Sequence, residues 1–133
     1  MIVVDVNVIT YLLLEGARTA AAEAVFALDP EWAAPPLWRS EWRNVLTGYM
    51  RRGVIDERTA IDHAQHAAEL IGDREHRVSD ARVFDLVSRS RCTAYDCEYV
   101  ALAELLEIPL VTADQRILLD FPHVARSLED FTG

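Results

Sequence analysis

Apolar residues fall either in short continuous bursts or in longer stretches at helical spacing, and that rhythm sets the expected order of elements. Ile2, Val3 and Val4, closed by Asp5, predict a strand over 2–5 buried on both faces, and Val8 to Glu15 is compatible with a helix. An Ala-rich helix is expected from about Arg18 to Leu28, where Asp29-Pro30 stops it, followed by a second strand over Trp32 to Ala34. Pro35-Pro36 precedes a long helix over Leu37 to Arg52 that ends at Gly53. Asp56 fits the N-cap of a surface helix running through Ala60, Ile61, Ala64 and Ala68 towards Gly72. His76 to Ser79 predicts a short third strand, Asp80 to Ser90 a helix, Asp96 to Leu106 a strongly periodic helix, and Pro109 to Thr112 a central strand. A short helix over Gln115 to Leu119 and an edge strand near Val124 to Arg126 complete the pattern.

Strands separated by helices imply an α/β fold in three layers, with helices on both faces of a central parallel sheet of four or five strands. No repeat or linker divides the 133 residues, which suit one domain spanning 1–133. The apolar fraction of 51% with 26% charged residues is that of a globular chain rather than a disordered one. The N-terminal apolar stretch lacks a basic flank and is interrupted by Asp5 and Asn7, so neither a signal peptide nor a membrane span is expected and the chain reads as cytoplasmic. Cys92 and Cys97 form neither a disulfide framework nor a CxxC knuckle and read as buried or bystander thiols.

Charge narrows the chemistry. A net charge of −9 argues against a broad basic surface for nucleic acid, although it permits a local one. All 13 basic residues are arginines. A P-loop needs its lysine, receiver domains use one near the phosphorylated aspartate, and haloacid-dehalogenase-type phosphatases carry a lysine and a DxD pair. Here the corresponding triplet is Asp5-Val6-Asn7.

Carboxylates are the remaining signal. In open parallel sheets ligands bind beyond the carboxyl ends of the strands, and Asp5 and Asp114 both follow strand-like runs. Asp5 closes an apolar strand, where an unpartnered charge is costly, whereas Asp114 taken alone is as well explained as the cap of the helix that follows. Glu41 flanks the stripe Trp38, Trp42, Val45 and Tyr49, away from Arg39 and Arg43, and a structural ion pair explains it equally well. Asp96 flanks the stripe Tyr95, Tyr99, Leu102, Ala103 and Leu106, where it could simply favour the helix dipole. One hypothesis covers all four: a divalent cation held by oxygen ligands. His63 and His66 read as a solvated helix face, His76 and His123 as isolated, and no serine or cysteine stands in a nucleophile motif.

These residues resemble a known family, the PIN-domain ribonucleases, and within it the VapC-type toxins of bacterial toxin-antitoxin pairs. MIVVDVNVITYLLLEG resembles the first motif of that family, SEWRNVL the second, and AYDCEYVALAELLEIPLVTAD the third and fourth, so the likeness spans essentially the whole chain. It implies a PIN-like fold, with Asp5, Glu41, Asp96 and Asp114 as catalytic, metal-binding carboxylates for Mg²⁺, with Mn²⁺ as the other candidate. Asn7 and Thr112 would support the first aspartate or a metal-bound water, and Asn7 departs from the commoner Ser or Thr. Glu98 and Asp120 are both candidates for a fifth acidic ligand. The implied reaction is hydrolysis of RNA to 3′-hydroxyl and 5′-phosphate ends, the implied partners a cognate antitoxin and a second copy in a homodimer. Arg39, Arg43, Arg51, Arg52, Arg89 and Arg91 are candidates for phosphate contact, each more simply a surface arginine. The alternatives are a catalytically silent PIN-like module that binds RNA or protein, and a Mg²⁺-dependent phosphohydrolase of small nucleotides.

Overall fold

The computed structural model describes all residues from Met1 to Gly133. Strands β1 (Ile2–Val4), β2 (Trp32–Ala33), β3 (Leu110–Val111) and β4 (Ala125–Arg126) form one parallel sheet in the order β2-β1-β3-β4. Val3 aligns with Ala33 on one side and with Leu110 on the other, so β1 is paired along both edges. Every residue of β1, β2 and β3 is buried, which explains why these strands read as continuous apolar runs rather than alternating ones.

Eight helices cover the sheet: α1 (Val6–Leu13), α2 (Thr19–Leu28), α3 (Trp38–Arg51), α4 (Glu57–Ile71), α5 (Asp80–Ser88), α6 (Ala94–Leu106), α7 (Gln115–Asp120) and α8 (Leu128–Thr132). Helix α6 packs on β1, β3 and α5, while α1 packs on α2 and α3, and α4 on α3 and β2. No helix is long and apolar enough to cross a membrane. Trp38 and Trp42 lie in the core, and the Trp42 indole donates to the His63 carbonyl at 3.2 Å, tying α3 to α4.

Several boundaries moved for identifiable reasons. Helix α1 starts at Val6 because the Asp5 carboxylate caps it, accepting from the N–H groups of Asn7 and Val8. Helix α6 starts at Ala94, two residues before the expected Asp96: Thr93 accepts from the Asp96 N–H while the Asp96 carboxylate accepts from the Thr93 N–H, a capping box. Tyr95 does not join the apolar stripe of α6 and stands 64% exposed. The strand expected over His76 to Ser79 is absent. Only a parallel bridge between Ala34 and Glu75 remains, because Ser79 turns to cap α5 and Val78 is the one apolar residue of that stretch. Helix α8 was not anticipated. Ser127 caps it, and Leu128 anchors it in the core.

Two substitutions separate core from cap. Trp42→Ala should lower unfolding free energy by about 3–5 kcal/mol through lost burial and a cavity, and Asp56→Ala, at the exposed start of α4, by only a small fraction of that. Urea denaturation of both variants checks the ratio.

Candidate active site

Parallel strands followed directly by helices bring helix N-termini to one edge of a sheet. Here α1 follows β1 and α7 closely follows β3, with Asp5 and Asp114 as their respective N-caps. Asp114 Oδ1 accepts from the N–H groups of Arg116 and Ile117 at 2.9 and 3.0 Å. Asp96 lies in the first turn of α6 and Glu41 in the first turn of α3. The positive ends of four helix dipoles thus carry these four carboxylates. The capping role foreseen as the simpler explanation of Asp114 is realised, Asp96 adds an unforeseen capping box to the dipole role expected of it, and each leaves one carboxylate oxygen outside any hydrogen bond.

Asp5 is the deepest, 6% exposed. Burial pushes its carboxyl up to about 6 against three hydrogen bonds that oppose the shift, and the charge of Asp114 adds to it. Thr112, fully buried at the end of β3, joins the two aspartates: its hydroxyl donates to Asp5 Oδ2 and accepts from the Asp114 N–H at 3.0 Å. Asn7 contributes its backbone N–H to Asp5 at 3.1 Å, while the residue itself is exposed on α1.

The other carboxylates extend the pattern. Asp96 is raised by burial and by Asp114, with Thr93 and Arg116 acting the other way. Glu41 is raised by burial, opposed by a hydrogen bond from Tyr99, and raised further by Asp96 and Glu98. Successive charge–charge interactions, Asp5 with Asp114, Asp114 with Asp96 and Asp96 with Glu41, therefore link the four in one acidic cluster. Glu98 borders it, raised by burial and felt by both Glu41 and Tyr99. Asp120 does otherwise: it accepts from the Arg91 N–H at 2.9 Å and pins the loop before α6.

The donor set suits a hard divalent cation, being all oxygen, partly desolvated and mutually repulsive. The side chains stop short of closing on one point, since no three His, Cys, Asp or Glu groups have the spacing to hold an ion as they stand. The uncommitted oxygens of Asp96, Asp114 and Glu41 are the atoms available to converge. Elsewhere, Cys92 and Cys97 are both free and buried. His123 bonds to Glu104 at 2.8 Å.

Two contributors escaped the sequence reading. Tyr99, placed there among apolar stripe positions, is buried and donates to Glu41 Oε1 at 2.5 Å. A tyrosine on a buried helix face needs a partner for its hydroxyl, and that requirement was the available signal. Arg116, exposed in the first turn of α7, favours the ionised form of Asp96. Among the arginines considered for phosphate contact, Arg39 is taken up by Glu75 and the Trp38 ring, Arg52 by the Tyr49 ring and Arg89 by Asp85.

Known proteins resemble this chain in sequence and in fold. The chain is 29% identical over 124 residues to Ribonuclease VapC3 of Pyrobaculum aerophilum, across 91% of this chain and 95% of that protein. The fold matches the crystal structure of PAE2754 from Pyrobaculum aerophilum with a TM-score of 0.67 at 21% identity, over 96% of this chain and 90% of that one. A toxin-antitoxin complex from Klebsiella pneumoniae matches with a TM-score of 0.67 at 17% identity, over 96% of this chain and 98% of that one. Residues 2–126 match the PIN domain, a span that contains all four carboxylates together with Thr112, and the chain belongs to the PIN-domain family.

Proposed function

We propose that this chain is a divalent-metal-dependent endoribonuclease and the toxin of a toxin-antitoxin pair. Asp5, Glu41, Asp96 and Asp114 would hold Mg²⁺, or Mn²⁺ in its place. The observation that carries the reading is the run of coupled carboxylates at the carboxyl end of β1 and β3, with Asp5 buried and pushed up to about 6. Such a cluster is electrostatically expensive without a cation, and a pure binding module gains nothing from it. Similarity to Ribonuclease VapC3 supports RNA as substrate, and likeness to a toxin-antitoxin complex supports an antitoxin partner.

A bound divalent ion supplies Lewis acidity, an activated water and charge stabilisation at the leaving oxygen of a phosphodiester. The chain's own part is to orient and to shield. The Thr112 hydroxyl and the first N–H groups of α1 hold both Asp5 oxygens, so the deepest ligand has a fixed direction. Asp96, Asp114 and Glu41 each keep one oxygen outside any hydrogen bond and so available to an ion. Arg116 at the rim offsets the repulsion that an acidic pocket exerts on RNA phosphates. Asn7, exposed on the first turn of α1, is in position to support Asp5 or a bound water. No covalent nucleophile is required.

Asp5→Asn and Asp96→Asn should each reduce Mg²⁺-dependent cleavage of RNA to the level seen in EDTA while circular dichroism stays that of the wild type. Cleavage by both variants at the wild-type rate, or undiminished cleavage in EDTA, sinks the mechanism.

Stability carries a second signature. An Asp5 carboxyl near 6 in the folded state against 3.8 when unfolded means that the folded state binds more protons between these values. This contribution to metal-free stability is therefore full below about pH 4 and lost as pH rises through about 6, amounting to on the order of 2–3 kcal/mol. Asp5→Asn, which keeps a good cap, should gain on the wild type by that amount between pH 4 and 7, and millimolar Mn²⁺ should narrow the gap. Thermal denaturation across pH reads it, and a pH-independent difference refutes it.

A homodimer completes the proposal. Phe84, Tyr95 and Leu119 on α5, α6 and α7 are large side chains left mainly exposed. Light scattering at micromolar concentration should give twice the 15.0 kDa chain mass, and a single-chain mass contradicts the dimer.

A further inference from the structure

Of the four carboxylates, Glu41 has the least reason to stay where it is. Asp5, Asp96 and Asp114 are short side chains, each pinned by backbone N–H groups at a helix start. Glu41 has a longer side chain, no backbone donor, and two like charges, Asp96 and Glu98, pushing on it. A half-buried glutamate in that position gives up rotamer freedom by staying ordered, and rotation towards solvent would relieve the repulsion. One side-chain interaction opposes that rotation. The Tyr99 hydroxyl, on α6 and across 58 residues of sequence, donates to Glu41 Oε1 at 2.5 Å.

We propose that Tyr99 is a positioning residue: its buried phenol holds the Glu41 carboxylate in the acidic pocket and leaves Oε2 directed to a divalent cation. The geometry supports this role in three ways. Tyr99 is 2% exposed, so its ring is fixed by the core and its hydroxyl has a defined position. A phenol is a donor without positive charge, so it satisfies one carboxylate oxygen without neutralising the ligand as an arginine would. The residue also stands within the electrostatic reach of Asp5 and Glu98 as well as Glu41, so its hydroxyl lies among the acidic groups rather than apart from them. Outer partners that orient metal ligands commonly change metal affinity about 10–100-fold when removed.

The inference rests on the metal-dependent reading above, and its test separates the two. Tyr99→Phe keeps the buried ring and removes only the hydroxyl. Binding of Mn²⁺ alone, followed by electron paramagnetic resonance, should weaken about 10-fold in Tyr99→Phe, with RNA cleavage reaching half-maximum at correspondingly higher Mn²⁺. The same substitution in a Glu41→Ala background should change Mn²⁺ affinity no further, because the phenol acts through Glu41. If Glu41→Ala binds too weakly to measure, Glu41→Asp serves, its shorter carboxylate being out of the phenol's reach. A wild-type affinity in Tyr99→Phe, or an equal loss with and without the Glu41 carboxylate, overturns the positioning role. Mn²⁺ binding by the wild type without RNA cleavage overturns the nuclease reading alone, and absence of Mn²⁺ binding overturns both.

Discussion

The Asp5 carboxylate is the constraint around which this molecule is arranged. It sits at the end of β1, one of the two strands paired along both edges, nearly inaccessible to solvent, where an ion is tolerated only if its oxygens are bonded. One oxygen takes the first N–H groups of α1, and the other takes the Thr112 hydroxyl. The first bond decides where α1 begins. The second requires β1 and β3 to be neighbours in a register that sets Val4 beside Val111. Thr112 in turn accepts from the Asp114 N–H, which sets the entry to α7. Strand pairing, two helix starts and the base of the acidic pocket are thereby one connected set of hydrogen bonds.

Much of this was legible because it follows from local rules. Continuous apolar runs gave β1 and β3, Pro35-Pro36 and Gly53 bracketed α3, and Asp56 marked the start of α4. Asp5 and Asp114 could be grouped because a parallel sheet returns strand ends to the same edge, whereas Glu41 and Asp96, on helices, joined them only through the shared metal hypothesis and the family resemblance. What resisted reading depended on contacts between distant residues or on competition between local signals. Tyr99 looked apolar by spacing, and only the proximity of Glu41 on another helix gives its hydroxyl a role. The strand expected at His76 to Ser79 lost to the cap that Ser79 supplies to α5. Thr93 and Asp96 together spell a capping box that a periodicity argument starting from the apolar stripe passes over.

Several arginines on α3 and α5 are engaged with local partners: Arg39 with Glu75 and Trp38, Arg52 with Tyr49, Arg89 with Asp85. These surface pairs contribute little stability each. Their consequence lies in where positive charge is left over, and Arg116 beside Asp96 is the arginine whose field reaches the pocket most directly. An acidic chain can thus present a limited basic contact at the rim of an acidic site without a basic face.

The bond between Thr112 and Asp5 joins residues 107 positions apart. Translation runs from β1 towards β3, so the edge of β1 that pairs with β3 has no partner until Leu110 and Val111 have left the ribosome. Until then Asp5 lacks the hydroxyl that takes its second oxygen. A nascent chain therefore carries the pieces of the acidic site separately until β3 has joined the sheet, and any chemistry there waits on that step.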